Sequence, residues 1–305
     1  MTSQHSHGPH NGHHNTHQHG HPAGQERNHQ QSRHNEHQQS DEPGLAEALD
    51  LDALLLHEHL QEIFDWTASH QKNPGTIMDL GAGTGTGTLG LARTFPDARM
   101  VAVDQSEFML ERLASTVEKH GLSNRISTQQ VDLDTDWPRL TGVDLIWAAS
   151  SMHHMSEPDR VFSQIRETLA PEGLLVVVEM DSLPRHLPDD LGFGAPGLEQ
   201  RCHEAGATAG WNAHPNWTTA IRDAGMTVTD QRTFTYATDQ DHDLILRSAQ
   251  TFLSRMRSAL EDTLSPEDLA NLDQLLDPEG PQSLTRRTDL TMRGSRTVWA
   301  ARPGR

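Results

Sequence analysis

Cysteine is nearly missing from this 305-residue chain. Cys202 is the only one, which rules out a disulfide within the monomer. Basic residues are scarce as well: 24 lysines and arginines face 43 acids, for a formal net charge of −19. No Lys/Arg-rich block interrupts that excess, so a nucleic acid would be repelled rather than recruited. Long apolar runs are lacking too. No stretch approaches the roughly 20 residues of a membrane span, and no basic n-region with an apolar segment behind it opens the sequence. The expectation is a cytoplasmic protein with neither a membrane nor a nucleic-acid partner.

Apolar side chains are also rare in residues 1–43, which carry 11 of the 21 histidines among Gln, Asn, Gly and Ser. Such a composition cannot build a core, so a disordered His-rich tail is expected. Neutral imidazoles bind zinc, nickel or copper, and loose divalent metal binding is one use of the tail. The irregular spacing fixes no site, and a soluble low-complexity tail without a role is the plainer reading. The histidines are scattered rather than contiguous, unlike an expression tag.

The most informative segment is Thr76-Ile77-Met78-Asp79-Leu80-Gly81-Ala82-Gly83-Thr84-Gly85-Thr86-Gly87. An apolar strand carries an acid near its end and runs into a glycine-rich turn, and a helix follows. The glycines permit a sharp turn and close approach of backbone to a ligand. Gly85-Thr86-Gly87-Thr88-Leu89-Gly90 also fits the G-x-G-x-x-G signature of nicotinamide and flavin proteins. In that register the first glycine should close the strand, whereas here the strand closes at Leu80. The register that fits is Asp79-x-Gly81-x-Gly83-x-Gly85, and Asp79 would repel a pyrophosphate. The acid points instead to a ligand with positive charge.

The flanks support this choice. A second strand, Arg99 to Asp104, ends in an acid nineteen residues past Gly85, close to the ribose-binding spacing of βαβ units. A third, Ile126 to Val131, leads into Asp132-Leu133. A fourth, Val143 to Trp147, runs into Ala148-Ala149-Ser150-Ser151-Met152-His153-His154. A helix follows, read with Ser156 as N-cap and Pro158 in its first turn. It stops at Pro171-Glu172-Gly173, before a fifth strand from Leu174 to Val178.

In this order of motifs the segment from about Thr76 to Asp181 resembles the class I S-adenosylmethionine-dependent methyltransferases. The resemblance implies an α/β, Rossmann-like, doubly wound sheet of seven mostly parallel strands with an antiparallel C-terminal strand. It implies S-adenosylmethionine as cofactor. Asp79, Gly81, Ala82, Gly83 and Gly85 would line its methionine part, and Asp104 would bind the ribose hydroxyls. Gln105 and Met109 would flank the adenine. Asp132 would accept from the adenine amino group beside Leu133, and Ala148 and Ala149 would lie next to the sulfonium. A carboxylate suits adjacent hydroxyls because it accepts from both. The Met152-His153-His154 region is most similar to ubiquinone/menaquinone C-methyltransferase-like enzymes, a likeness that fades beyond Asp181. The Asn/Asp-Pro-Pro-aromatic signature of amino-methylating nucleic-acid enzymes is missing.

Leu45 to His70 has an apolar face near helical period and reads as a helix beside the sheet. His57 and His59, two apart, do not share a face, and both read as polar surface. Beyond Asp181, helices are expected at Leu198–Ala209, Trp217–Ala224 and His242–Leu264, and another opens at Ser265-Pro266-Glu267-Asp268. Strands at Thr227–Tyr236 and Arg296–Ala301 should pair as an antiparallel hairpin, leaving the intervening helices as an insertion over the acceptor pocket. The chain divides into a tail (1–43), a helical segment (44–70), a cofactor-binding core (71–182) and a remainder with the substrate cap (183–305).

His153 and His154, at the end of the fourth strand, are the candidate catalytic bases, since histidine titrates near neutrality. Glu179 has a similar place. His214 and Trp217 are candidates for the pocket wall. Arg286 and Arg287 suit an acidic substrate but read more simply as a solvated pair. Cys202 reads as a semi-buried helix residue. The expected function is methyl transfer to a small molecule at an O, N or C atom. The alternative is a non-catalytic cofactor- or metal-binding protein using its tail to sequester metal.

Overall fold

The computed structural model describes residues 1–2, 42–209 and 216–304. The expected tail, with the histidines offered as loose metal ligands, and His214 lie outside the described residues, apart from the ends of the tail segment. Residues Glu42–Arg305 form one compact unit.

Among the described residues the sheet has seven strands in the order β3-β2-β1-β4-β5-β7-β6. These are β1 (Thr76–Leu80), β2 (Arg99–Asp104), β3 (Ile126–Gln130), β4 (Val143–Ala149), β5 (Leu169–Met180), β6 (Met226–Thr238) and β7 (Met292–Pro303). The first five are parallel, and β7 runs antiparallel to both β5 and β6. The expected hairpin is present, with Phe234 opposite Arg296 and Tyr236 opposite Gly294. The strand order reverses between β1 and β4, and open α/β sheets bind ligands outside the strand ends at such a point.

The helices are α1 (Glu42–Leu55), α2 (His57–His70), α3 (Thr86–Thr94), α4 (Glu107–Lys119), α5 (Pro158–Thr168), α6 (Leu198–Thr208), α7 (Thr218–Asp223), α8 (His242–Ala259) and α9 (Pro266–Leu276). The central strands are apolar on both faces because both are covered. Ile77, Leu145, Trp147 and Val176 pack against Ile63, Phe64 and Leu91. Met78, Ile146, Leu175 and Val177 pack against Val161, Phe162 and Ile165 on the other face.

Three local readings change. The helical segment before β1 breaks at Leu56 into α1 and α2. Ser156 does not cap α5. The N-cap is Glu157 without a side-chain bond, and Ser156 gives its N–H and hydroxyl to Asp134, at 2.8 and 3.0 Å. β5 begins at Leu169, before the Pro171-Glu172-Gly173 turn, and its pairing with β4 jumps from Val143–Leu169 to Leu145–Leu174. The turn therefore bulges out of a strand rather than preceding one. Ser265 does cap its helix, accepting from the Asp268 N–H at 3.1 Å.

Candidate active site

The glycine loop is built by steric need. Gly81, Gly83 and Gly85 have φ of 70°, 52° and 94°, the left-handed region that side chains disfavour. A Cβ on Gly81 would fall 2.4 Å from the Ser151 Cβ, and one on Gly85 would fall 2.2 Å from Leu113 Cδ1. Gly81 thus lets the turn after β4 approach the turn after β1. The N–H groups of Gly81 and Ala82 both donate to the Val103 carbonyl, at 2.8 and 3.0 Å, tying the loop to β2.

Asp104, half-buried at the end of β2, completes the tie. Its Oδ2 accepts from the Gly83 N–H at 2.8 Å and its Oδ1 from the Ser106 N–H at 2.9 Å. Burial raises its pKa, opposed by the backbone hydrogen bonds from Ser106 and Gly83, and the nearby Glu42 carboxylate raises it further. Ser106 caps α4 by accepting from the Met109 N–H at 3.1 Å. That fixes buried Met109 one turn beyond exposed Gln105. Asp132 accepts from the Asp134 N–H at 3.0 Å in the loop after β3, and Leu133 beside it is buried. Ala148 is buried and Ala149 half-buried where β4 ends.

Asp79 is 2% exposed, under the loop. Its Oδ2 accepts from the Thr88 hydroxyl at 2.6 Å. Burial lifts its pKa from 3.8 to about 7, against the Thr88 hydrogen bond and with help from the Asp104 charge. A buried acid held near neutrality gains most from a cationic partner.

The turn after β4 is strained. Ser150 has φ 51°, an outlier that clusters at functional sites. The next turn, Met152–His154, carries the two histidines. Glu179, buried near the end of β5, accepts from the Met152 N–H at 3.1 Å through Oε1, and its Oε2 lies 2.8 Å from His153 Nδ1. With Nδ1–H donated to the carboxylate, the ring's lone pair is on Nε2. The His154 ring packs on His153, with centroids 4.0 Å apart. The structure therefore joins His153 and Glu179, which the sequence offered separately.

Other candidates have structural employment. Trp217 is buried against Phe162, centroids 5.5 Å apart. Arg286 Nε donates to the Gly280 carbonyl at 3.1 Å, and Arg287 pairs with Asp289 at 2.6 Å. Cys202 is fully buried, which pushes its thiol up to about 12.

Two groups of residues escaped the sequence reading. His59 is buried rather than surface, because α2 packs it against Tyr236 and Phe234 of β6, at 4.8 and 6.4 Å between rings. The acids of α1 tie this helix across the site. Glu42 Oε1 accepts from the Ser106 hydroxyl at 2.5 Å, and Asp50, Asp52 and Glu47 pair with Arg112, Arg296 and Arg247 at 2.5, 2.6 and 2.6 Å. Leu49 Cδ1 comes within 3.2 Å of where a Gly83 Cβ would stand. Only the three-dimensional pairing reveals these roles.

Residues 77–173 match the family model described as a methyltransferase domain. A trans-aconitate 2-methyltransferase of Acidovorax sp. (strain JS42) is 30% identical over 135 residues, covering 43% of this chain and 50% of that protein. The one from Yersinia pestis (strain Pestoides F) is 33% identical over 139 residues, covering 45% and 51%. This chain thus spans about half the length of these relatives. Among solved structures, the YcgJ protein from Bacillus subtilis aligns with a TM-score of 0.52 at 15% identity, covering 82% of this chain and 99% of that one. A Bacillus halodurans protein provisionally described as a methyltransferase aligns with a TM-score of 0.51 at 15% identity, covering 80% and 99%. Residues 77–173 carry a methyltransferase-domain signature, and the seven-stranded sheet is the fold of those solved structures.

The residues present fit S-adenosylmethionine. A buried acid stands where positive charge would favour it, a half-buried carboxylate stands at the end of β2, and the loop between them is pinned by the Val103 carbonyl and by Asp104. Asp79 with the glycine loop would hold the methionine part, Asp104 the ribose, and Gln105, Met109, Asp132 and Leu133 the adenine.

Proposed function

We propose that the protein transfers a methyl group from S-adenosylmethionine to a small-molecule acceptor in the cytoplasm. The observation that carries this reading is the convergence of three pieces at the strand-order reversal. They are the glycine loop pinned by Asp104, the buried Asp79, and the strained turn that delivers His153. The family match over residues 77–173 supports it. S-adenosylmethionine, when bound, supplies an electrophilic methyl group on a sulfonium.

The chain's part is positioning, exclusion of water and proton management. Glu179 holds the His153 ring in the tautomer with a basic Nε2, and Nε2 receives the proton that an acceptor O–H or N–H loses. Glu179 is a positioning residue in this scheme. His154 buttresses the ring. The helices between β6 and β7, together with α1 and α2, would shape the acceptor pocket.

The test is calorimetric titration of S-adenosylmethionine into the full-length protein, followed by a methyl-transfer assay that includes trans-aconitate, the acceptor named for the relatives. Saturable binding of about −8 kcal/mol, a micromolar Kd, is expected. A folded protein that does not bind would remove the reading. His153→Asn should lower kcat by ~10²-fold or more while cofactor affinity holds.

A further inference from the structure

One buried cluster at the carboxyl edge of the sheet is left with unmet hydrogen-bonding capacity. It joins His59 of α2, Tyr236 of β6 and Arg296 of β7, which are 7%, 9% and 5% exposed. The Arg296 guanidinium carbon is 6.0 Å from the Tyr236 ring centre, and the His59 ring is 4.8 Å from the same ring. Four polar atoms here have no hydrogen-bond partner: both His59 ring nitrogens, the Tyr236 hydroxyl and Arg296 Nε. Buried polar atoms are almost always paired, so four orphans on three neighbouring elements mark a place where something polar belongs. The cluster stands at the carboxyl edge of the sheet, where open α/β sheets bind ligands. Arg296 lies opposite Met180, the last residue of β5, on the face away from the Glu179 side chain.

The charge of the cluster limits what it can take. Arg296 already has an ion partner, since its Nη2 is 2.6 Å from Asp52. The Glu179 carboxylate also acts on Arg296, and the Asp181 carboxylate acts on Tyr236. Burial lowers His59 to about 4 and pushes Tyr236 up to about 12, so at neutral pH both are uncharged. What remains is a set of donors, Arg296 Nε–H, Tyr236 O–H and one His59 N–H, with one His59 nitrogen as acceptor and no surplus positive charge.

We propose that His59, Tyr236 and Arg296 form the docking site for an uncharged hydroxyl or carbonyl oxygen of the methyl acceptor, and that the pocket disfavours a carboxylate there. This rests on the methyltransferase reading above. A carbonyl oxygen accepts from Arg296 and Tyr236, and a hydroxyl also donates to His59. An incoming carboxylate meets an Arg296 guanidinium whose charge Asp52 already balances.

The test uses the full-length protein and two titrations. S-adenosylhomocysteine is titrated first by calorimetry, which reports on the cofactor site alone. The saturated complex is then titrated with three ring-matched probes, phenol, benzamide and benzoate, followed by saturation-transfer NMR. Phenol and benzamide should bind about tenfold or more tightly than benzoate. Tyr236→Phe and His59→Phe should each weaken them by about five- to tenfold, with S-adenosylhomocysteine affinity unchanged as the check on folding. Benzoate binding as tightly as benzamide overturns the proposal. So does indifference of all three probes to both variants, or no probe binding while S-adenosylhomocysteine binds, which would leave the cluster to water. Failure of S-adenosylhomocysteine alone strikes the methyltransferase reading instead.

Discussion

Replacing Asp79 by Asn should convert a pH-dependent cofactor affinity into a flatter one. Asp79 lies beneath the glycine loop, and burial lifts its pKa from 3.8 to about 7. At pH 6 about one carboxyl in ten is ionised and at pH 8 about nine in ten. A cationic ligand that needs the carboxylate should therefore bind wild type about tenfold more tightly at pH 8 than at pH 6, and should release a proton on binding near pH 7. Stability of the ligand-free protein moves the other way. The folded chain keeps this proton to a higher pH than the unfolded chain does. Its stabilising contribution is thus whole below the unfolded value and is lost as pH rises through about 7. The ceiling on that loss is about 4 kcal/mol, from about three pH units, and relaxation around the carboxylate reduces it. Asp79→Asn should accordingly melt higher than wild type at pH 8 and bind S-adenosylmethionine more weakly. Calorimetry in two buffers of different ionisation enthalpy measures both affinity and proton release. Equal affinity slopes in wild type and Asp79→Asn would refute the argument, because the titration would then belong to the ligand or another residue.

Asp104→Ala removes the acceptor for the Gly83 and Ser106 N–H groups as well as the ribose position, and should weaken S-adenosylmethionine binding by ~10²-fold in calorimetry. Gly85→Ala sets a Cβ against Leu113 at a φ of 94° and should cost about 2–4 kcal/mol in denaturant unfolding. The Cys202 thiol is buried and held at about 12, so a soluble thiol reagent at pH 8 should label it only as fast as the protein opens.

Much of the glycine loop was legible because its requirements are local. Asp79 and the glycines sit within one strand and one turn, where positive φ and close packing leave few residue choices. The sheet also followed, since apolar runs at β4 and β5 imply burial on both faces. What stayed illegible depends on distant partners. His59 read as helix surface because nothing near it announces that β6 and β7 arrive to bury it. Asp52 and Arg296 pair across most of the chain, a contact with no local signature. Ser156 looked like a cap by type, but Asp134 competes for its donors. Pro171-Glu172-Gly173 read as the turn before a strand, yet it lies inside a strand that had already begun, where the pairing with β4 slips.

The four acids of α1 reach in two directions. Glu42 and Asp50 hold Ser106 and Arg112 on the side of β2 and α4, while Asp52 and Glu47 hold Arg296 and Arg247 on the side of β7 and α8. With the proposed cofactor and acceptor sites, this helix would be a shared term in two binding equilibria. Whatever shifted its seat on the β2 side would be felt on the β7 side, and linkage would make the influence equal in the opposite direction. Cofactor and acceptor would then be coupled through the helix without touching, with salt concentration setting the strength of the coupling.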